Sequence, residues 1–300
     1  MRVLVLMTVR NEELVLERTL SHLERQGARV CLIDNGSTDA TLEIARSFQD
    51  RCVLRIEHLP FRGRFELARV LQNEERLARE IRASWYLHQD ADEIREAPAS
   101  MGTLAEALER VEAEGYNAVD FDEFVFVPTS PDQNFEGRDF VAEMSQYYYF
   151  RPGSQHRVNA WRRRRWGKVD LVSSAGHNVR FRHRKVYEER FVLRHYMALS
   201  TEHARRKYGE RRFDPSEIEE RGWHAARAAF DSAAMRFPPA SALRAVDRSG
   251  GWDRSAPVAT HPLLAASGSS PTLDVTGARR RARAARPTGL GGAPNRGATP

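Results

Sequence analysis

The first half of the chain alternates short apolar runs with segments whose leucines recur at helical spacing, and no other feature constrains the fold as strongly. Residues 3–9 are apolar and β-branched, as in a buried strand. Leu16, Leu20 and Leu23 then follow at the spacing of a helix that stops at Gly27. The same signals recur along the chain. They predict further strands at 28–33, 53–59, 85–88 and 117–127, and helices at 42–48, 67–81 and 104–111, the last after a possible capping box at Thr103 and Glu106.

Strands that alternate with helices favour βαβ units, so we predict an α/β fold with a mostly parallel sheet and helices on both faces. This half is expected to cover 1–128. A less regular second lobe is expected at 129–240, where aromatic and basic stretches interrupt the alternation. A flexible tail is expected at 241–300, because Ala, Gly, Pro, Ser and Thr make up 32 of the last 50 residues.

The distribution of charge and cysteine excludes several classes of protein. The net charge is +6, but residues 251–300 alone hold seven arginines against two aspartates. The rest is nearly neutral, which argues against nucleic-acid binding. Two cysteines, Cys31 and Cys52, are too few for a disulfide scaffold and lack zinc-site spacing, so a cytoplasmic location is expected. No apolar run approaches the roughly 20 residues of a membrane span, and no signal peptide is indicated at the start of the sequence.

Polar residues follow three of the predicted strands, at 10–12, 34–37 and 90–93. Ligands of parallel sheets bind beyond the carboxyl ends of the strands, so these residues should converge. Asp90 and Asp92 lie on the same side of an extended chain, about 7 Å apart. Such oxygen ligands suit Mg²⁺ or Mn²⁺ together with a substrate diphosphate. Asp34, before a glycine turn and a helix start, is expected to bind a base or ribose.

Three segments in this order resemble the family 2 glycosyltransferases: Thr-Val-Arg-Asn-Glu-Glu at 8–13, Leu-Ile-Asp-Asn-Gly-Ser-Thr-Asp at 32–39 and His-Gln-Asp-Ala-Asp-Glu at 88–93. The resemblance covers about residues 1–128, with weaker echoes to about 212. It implies the GT-A fold, a Rossmann-like α/β sheet that binds a nucleotide-diphospho-sugar donor and usually a divalent metal. The reaction would transfer a sugar to a saccharide, lipid-linked or protein acceptor, as in polysaccharide biosynthesis.

Carried over by position, the resemblance assigns donor-side roles to several residues. Asp34 matches the nucleotide-binding acid. Arg10 and Glu12 match the loop that lies against the base. Asp90 and Asp92 match the metal motif, with Asp92 the surer ligand and Asp90 also able to contact the sugar or ribose. A late histidine can complete the metal site in related transferases.

The residues at 194–196 and 174–177 resemble the segments that carry such a histidine. His195 is therefore a candidate metal ligand, and His177 a candidate ligand or substrate contact. A histidine on the surface or in the core is the alternative for each.

An inverting transfer needs a carboxylate that deprotonates the acceptor hydroxyl. Asp122, in the predicted strand 117–127, and Asp170, after the aromatic and basic stretch, are the candidates for this base. Either could instead be a solvated acid. The family motif for this base is not recognisable in the sequence.

Basic residues outside these motifs have two interpretations each. Arg162 to Arg165 could bind a phosphorylated acceptor or contact a membrane surface, which would place the protein at the inner face of the membrane; a solvated loop is favoured. The basic cluster 279–283 could likewise contact anionic lipid. Lys207, Arg211 and Arg212 follow a plausible helix cap at Ser200 and are expected on an exposed helical face.

Two other functions stay open. A nucleotidyltransferase on a similar sheet usually needs a glycine-rich loop after the first strand, and residues 10–12 lack glycine. A nucleotide-sugar-binding protein without catalysis would keep the fold and lose the base.

Overall fold

A computed structural model describes residues 2–164, 167–231, 235–247 and 251–264. Its strands are β1 (Val3–Val9), β2 (Ala28–Asp34), β3 (Val53–His58), β4 (Trp85–His88), β5 (Glu93–Glu96), β6 (Ala118–Val119), β7 (Phe121–Phe126), β8 (Gln146–Phe150), β9 (Ala160–Arg162), β10 (Phe191–Tyr196) and β11 (Arg244–Ala245). Its helices are α1 (Leu16–Arg25), α2 (Thr41–Ser47), α3 (Leu67–Glu80), α4 (Leu104–Ala113), α5 (Phe140–Glu143), α6 (Thr201–Ala204), α7 (Pro215–Arg221) and α8 (Ala225–Ala228).

The first sheet has the strand order β3-β2-β1-β4-β9-β6. Its first four strands are parallel, whereas β9 runs antiparallel to both β4 and β6. Val9 lies opposite Asp34, and Leu6 lies opposite His88. The carboxyl ends of β1, β2 and β4 therefore meet at one edge of the sheet, where the three polar segments follow.

Helices cover both faces of this sheet because residues of β1 alternate between two cores. Val5 and Met7 pack in the core that contains buried residues of α1, α2 and α4. Leu4 and Leu6 pack in the core that contains Leu71 of α3. Each fully buried side chain of this kind stabilises the fold by about 1.5–3 kcal/mol. The predicted α/β sheet with helices on both faces is confirmed, as is the capping box of Thr103 and Glu106 before α4.

A second sheet, with the order β11-β8-β7-β10-β5, stands beyond the carboxyl ends of the first. The prediction of one strand over 117–127 is wrong, because the chain leaves the first sheet after β6 and enters the second at β7. A run of residues typical of a strand does not show where the chain changes sheets. No pattern in the sequence predicted β5, in which two charged side chains are buried as a pair: Arg95 donates to Glu93 at 2.7 Å.

The described C-terminal residues pack against this second sheet. Trp252 stacks on Phe124 with 4.4 Å between ring centroids, and His261 stacks on Phe150 at 3.8 Å. Leu263 is 1% exposed. The prediction of a flexible tail from residue 241 is therefore wrong for 241–247 and 251–264, where a few aromatic and apolar residues outweigh the overall composition. The remainder of the predicted tail, including 265–300 and its basic cluster at 279–283, lies outside the described residues.

Both cysteines are buried free thiols, as predicted for core residues. Burial raises the pKa of Cys31 to about 12 and that of Cys52 to about 11, so both stay protonated near neutral pH. Among the helices within the described ranges, none combines the length and the hydrophobicity needed to cross a bilayer.

Replacing Leu263 by Ala tests the packing of the C-terminal residues. We expect a loss of about 2–4 kcal/mol in the free energy of unfolding, because a buried leucine leaves a cavity behind. Leu54→Ala is the matched control: Leu54 is 43% exposed, and its loss should stay within about 0.5 kcal/mol. Urea denaturation of both variants measures the difference. Equally small losses of unfolding free energy in the two variants would contradict the packing of Leu263 against the second sheet.

Candidate functional site

A cavity of about 730 Å³ lies where the carboxyl ends of β1 and β4 face the second sheet. It is lined by residues from all three polar segments and from the later part of the chain. The polar and charged side chains among them are Thr8, Arg10, Glu12, Asn35, His88, Asp90, Asp92, His156, Arg157, Ser173, Ser174, His177, Asn178, Arg180, His195, Lys207, Tyr208, Arg211, His224, Arg227 and His261. The predicted convergence of the three segments at one edge is what the structure shows.

Arg10 holds the loops after β1 and β2 together. Its guanidinium lies over the ring of Phe61, 3.5 Å from the centroid, and donates to the backbone oxygens of Asn35 and Gly36. Gly36 has φ +72°, and a Cβ there would meet Phe61 and Arg10 at 3.1 and 3.3 Å. The positive φ and these close contacts both favour glycine at this turn.

The carboxylate of Asp34 is occupied by its own loop. It accepts hydrogen bonds from the backbone N–H of Gly36 at 3.1 Å and of Ser37 at 3.0 Å, and it is 2% exposed. Asp34 is not among the residues that line the cavity, whereas its neighbour Asn35 is. The role of Asp34 in nucleotide binding stays a prediction; its observed role is to shape the loop.

Asp92 begins a chain of buried hydrogen bonds that links the two sheets. Its Oδ2 contacts His195 Nε2 at 3.1 Å, and His195 Nδ1 contacts Glu123 Oε1 at 2.7 Å. Burial lowers the pKa of His195, but the two carboxylates outweigh burial and raise it to about 9. Burial alone would raise the pKa of both carboxyls, yet their cationic partners hold both well below the usual range. The histidine is therefore an imidazolium between two anions near neutral pH.

Glu123 also binds the residues that form the opposite wall of the cavity. Arg157 donates to it through Nε at 2.7 Å and NH2 at 3.0 Å, and His156 Nε2 lies 2.9 Å away. Arg157 NH1 lies 2.8 Å from Nδ1 of His177. Burial, followed by the charge of Arg157, holds the pKa of His177 well below its usual range. Neutral His177 lines the cavity but lies at the far end of this chain of contacts from Asp92.

Lys207 forms an ion pair with Oδ2 of Asp92. The prediction that it lies on an exposed helical face is wrong: its side chain is 10% exposed. The chain passes from α6 into a π-helical turn, Arg205–Gly209, that carries Lys207 to the cavity. Burial lowers the pKa of this ammonium group, but Asp92 raises it further, so it stays charged.

The sequence offered no local signal for Glu123, Arg157 or Lys207. Glu123 follows Asp122 in an otherwise apolar run, and its long-range partners decide its role. Only the alternation of buried and exposed positions along β7 could have suggested it, and every residue of β7 is buried.

The donor set predicted for Mg²⁺ or Mn²⁺ is Asp90, Asp92 and His195. In this set, Oδ2 of Asp92 already accepts hydrogen bonds from the imidazole of His195 and the ammonium group of Lys207. A divalent ion about 4 Å from that ammonium would be repelled by about 8 kcal/mol at an effective dielectric constant of 20. No group of three metal-ligating side chains is found within the described part of the chain. The residues as arranged do not fit a divalent metal, and the metal stays a prediction.

The two predicted bases lie away from the cavity lining. Asp122 is 1% exposed and is held by Arg151 at 2.7 Å, Arg254 at 2.6 Å and the Tyr149 hydroxyl at 2.7 Å. Asp170 accepts from the backbone N–H of Ser173 at 2.9 Å. Their catalytic roles are not supported by this geometry.

Arg162 and Arg164 of the basic run contact other parts of the protein and are not among the residues that line the cavity. Arg162 pairs with Glu112 at 2.8 Å, and Arg164 donates to the backbone oxygen of Arg182. Arg165 lies outside the described residues. Contact with a phosphorylated acceptor or a membrane surface stays a prediction.

Residues 4–166 match the model of glycosyl transferase family 2, which is more than half of the chain. The chain belongs to this family. The resemblance seen in the three segments is thereby confirmed. The family match includes β1 to β9 and the loops that bear Arg10, Asn35 and Asp92.

Several solved structures are similar to this family 2 chain. TarS 1–349 of S. aureus in complex with UDP shares 13% identity at a TM-score of 0.42, over 66% of this chain and 61% of TarS 1–349. The mannosyltransferase PcManGT of Pyrobaculum calidifontis, in complex with GDP-Man and Mn²⁺, shares 23% identity at a TM-score of 0.31, over 40% and 35% of the two chains.

Glucosyl-3-phosphoglycerate synthase of Mycobacterium tuberculosis, in complex with phosphoglyceric acid, shares 17% identity at a TM-score of 0.27, over 41% and 44% of the two chains. The chain thus spans between 35% and 61% of the length of these three proteins. No protein with a curated description matches the chain.

The raised pKa of His195 gives stability a defined pH dependence. The contribution of its charge is fully present below the unfolded pKa of about 6.5 and is lost as the pH rises to about 9. The difference in free energy of unfolding between wild type and His195→Gln should therefore shrink from pH 6 to pH 9.5, as measured by urea denaturation. A difference that stays constant over this range would show that His195 is not charged in the folded protein.

Proposed function

We propose that this chain is a glycosyltransferase that moves a sugar from a nucleotide-diphospho-sugar donor to an acceptor. The observation that carries the proposal is the cavity itself: the three segments typical of the family line one concave site at the carboxyl edge of its parallel strands. Such an edge is where α/β sheets bind nucleotides. A volume of about 730 Å³ is within the range of small-molecule sites.

The nucleotide would lie against the loops that Arg10 joins. These loops present the Arg10 side chain and Asn35 to the cavity, and Asp34 fixes their turn. Because the turn is closed by backbone hydrogen bonds and glycine, it is formed before the ligand arrives, which lowers the entropy cost of binding.

We further propose that transfer inverts the sugar configuration in a single displacement, with Asp90 as the base. The carboxylates that line the cavity are Glu12, Asp90 and Asp92. Asp92 is bound by Lys207, and Glu12 faces Arg211 at 3.6 Å. Within the described ranges, the carboxylate of Asp90 forms no hydrogen bond or ion pair, and the residue is exposed to the cavity. It is therefore the one able to approach an acceptor hydroxyl and accept its proton.

Glu12 has a different electrostatic role. Burial, together with Asp92 and Asp90, raises its pKa to about 7, against the opposing effect of Lys207 and Arg211. It is thus partly protonated near neutral pH and able to donate a hydrogen bond to a ligand.

Thermal denaturation with UDP, GDP, CDP and dTDP sugars tests the donor proposal. A donor at 100 times its dissociation constant stabilises the folded state by about 2.7 kcal/mol, so one nucleotide class should raise the melting temperature by several degrees. Arg10→Ala should reduce this shift, whereas Arg162→Ala, at a surface ion pair outside the cavity, should retain it. No shift with any of the four would overturn donor binding.

Replacing Asp90 by Asn tests the base. The assay uses the nucleotide sugar that stabilises the protein in thermal denaturation. We expect Asp90→Asn to release the nucleoside diphosphate about 10²- to 10⁴-fold more slowly than wild type, while its affinity for the nucleotide sugar changes only a few-fold, because a general base acts in the transition state. Asp170→Asn is the matched control, since Asp170 lies outside the cavity, and its rate should equal that of wild type. A near wild-type rate in Asp90→Asn would place the base elsewhere. Tight donor binding by wild type with no release of the nucleoside diphosphate would indicate a binding protein.

A further inference from the structure

We propose that Lys207 is a built-in cation that takes the place of a divalent metal at Asp92 and binds the diphosphate of the ligand. Its ammonium group and the Asp92 carboxylate form an ion pair at the cavity wall, next to the segment where a metal would be expected. The exclusion of metal stands on this geometry alone, whereas the role in transfer rests on the proposed function.

The ion pair is too buried to open without cost. The side chains of Lys207 and Asp92 are 10% and 6% exposed. A charge that loses its partner in such surroundings is penalised strongly, so a metal that took Asp92 would leave an unpaired ammonium group beside it. His195 contacts the same oxygen, at 3.1 Å, and is itself fixed by Glu123. Asp92 Oδ2 thus has two hydrogen-bonded partners already.

The position of Lys207 is fixed by the segment around it. The neighbouring Tyr208 is 4% exposed, and its hydroxyl donates to the backbone oxygen of Met197 at 3.2 Å. This contact ties the π-helical turn to the residue that follows β10, the strand that carries His195. Lys207 and His195 therefore reach Asp92 from a single anchored unit.

Lys207 also has N–H groups that are not used in its contact with Asp92. An ammonium group has three N–H donors, and within the described ranges its one hydrogen-bond acceptor is Asp92. Two donors remain for phosphate oxygens. Arg211 and Arg227 line the same cavity, and Arg227 forms no ion pair with any described carboxylate. The site therefore supplies positive charge that Asp92 alone does not neutralise.

In the proposed transfer, the bond between the anomeric carbon and the β-phosphate oxygen breaks, and its electron pair stays on that oxygen. A bond forms between the anomeric carbon and the acceptor oxygen, whose proton passes to Asp90. Lys207 stabilises the negative charge that develops on the diphosphate. Its ammonium group is already in position, so this hydrogen-bond donor needs no rearrangement during the reaction. No oxidant, reductant or metal enters this balance.

Titration with Mn²⁺ alone tests the exclusion of metal. The electron paramagnetic resonance signal of free Mn²⁺ is followed for wild type, Asp92→Asn, Lys207→Arg, Lys207→Met and the double variant Lys207→Met with Asp92→Asn. We expect no stoichiometric binding by wild type or Lys207→Arg. Removal of the cation in Lys207→Met should create one Mn²⁺ site per chain, which the double variant loses. Stoichiometric binding by wild type that Asp92→Asn abolishes would overturn the proposal.

Calorimetry with inorganic pyrophosphate in EDTA tests the diphosphate site without a nucleotide. We expect wild type and Lys207→Arg to bind, and Lys207→Met to bind at least tenfold more weakly, as for the loss of a charge-assisted hydrogen bond. Lys185→Met is the matched control, because Lys185 is exposed and outside the cavity lining, and its affinity should equal that of wild type. Equal affinity in Lys207→Met, or wild-type binding that strengthens more than threefold when Mn²⁺ replaces EDTA, would overturn the proposal.

These two arms separate the possible failures. If no nucleotide sugar binds, but Mn²⁺ is excluded and pyrophosphate binding depends on Lys207, the proposed transfer is wrong and the role of Lys207 as the diphosphate-binding cation (the cationic site) stands. If donors bind and wild type takes up Mn²⁺ at Asp92, the transfer stands and the cationic site is wrong. Circular dichroism of each variant confirms that it is folded, and Lys207→Arg and wild type decide the metal question even if Lys207→Met does not fold.

Discussion

The buried carboxylate of Glu123 is the group on which the site depends. It lies on the second sheet, yet through His195 it reaches Asp92 after the first sheet, and through Arg157 it reaches His177 on the opposite wall. Burying one anion with several cationic partners is favourable only while all of them stay in place, and removal of one partner of a buried pair typically costs 3–5 kcal/mol. The cavity walls are therefore fixed relative to each other by charge as well as by packing.

The parallel strands β1 to β4 of the first sheet were predictable because their information is local. These strands are short runs rich in apolar residues, and the helices between them have apolar residues at helical spacing, so periodicity defines these elements and the edge where their loops meet. No such signal marked β9, and β6 was not distinguished from β7. The second sheet was not predictable in this way. Charged residues in β5 are paired with residues of the same strand and of β10, about 100 positions away, and composition hid the packing of Trp252.

The same distinction applies within the site. Asp90 and Asp92 follow a strand directly, so their place at the cavity could be inferred from spacing. Lys207 reaches Asp92 across 115 positions of sequence, and its surrounding pattern is that of an exposed helix. Asp122 has the alternation of a site residue, but Arg151 and Arg254 neutralise it. Whether an acid is a base or a structural anion is decided by partners that local sequence does not reveal.

The contacts of residues 251–264 set the order in which the site can be completed. His261 and Leu264 line the cavity, and His261 stacks on β8 of the second sheet. Because a chain is made from its amino terminus, the loops after β1 and β4 that bear Arg10 and Asp92 are made before the residues of this wall. A nascent chain therefore has these loops before it has an enclosed cavity.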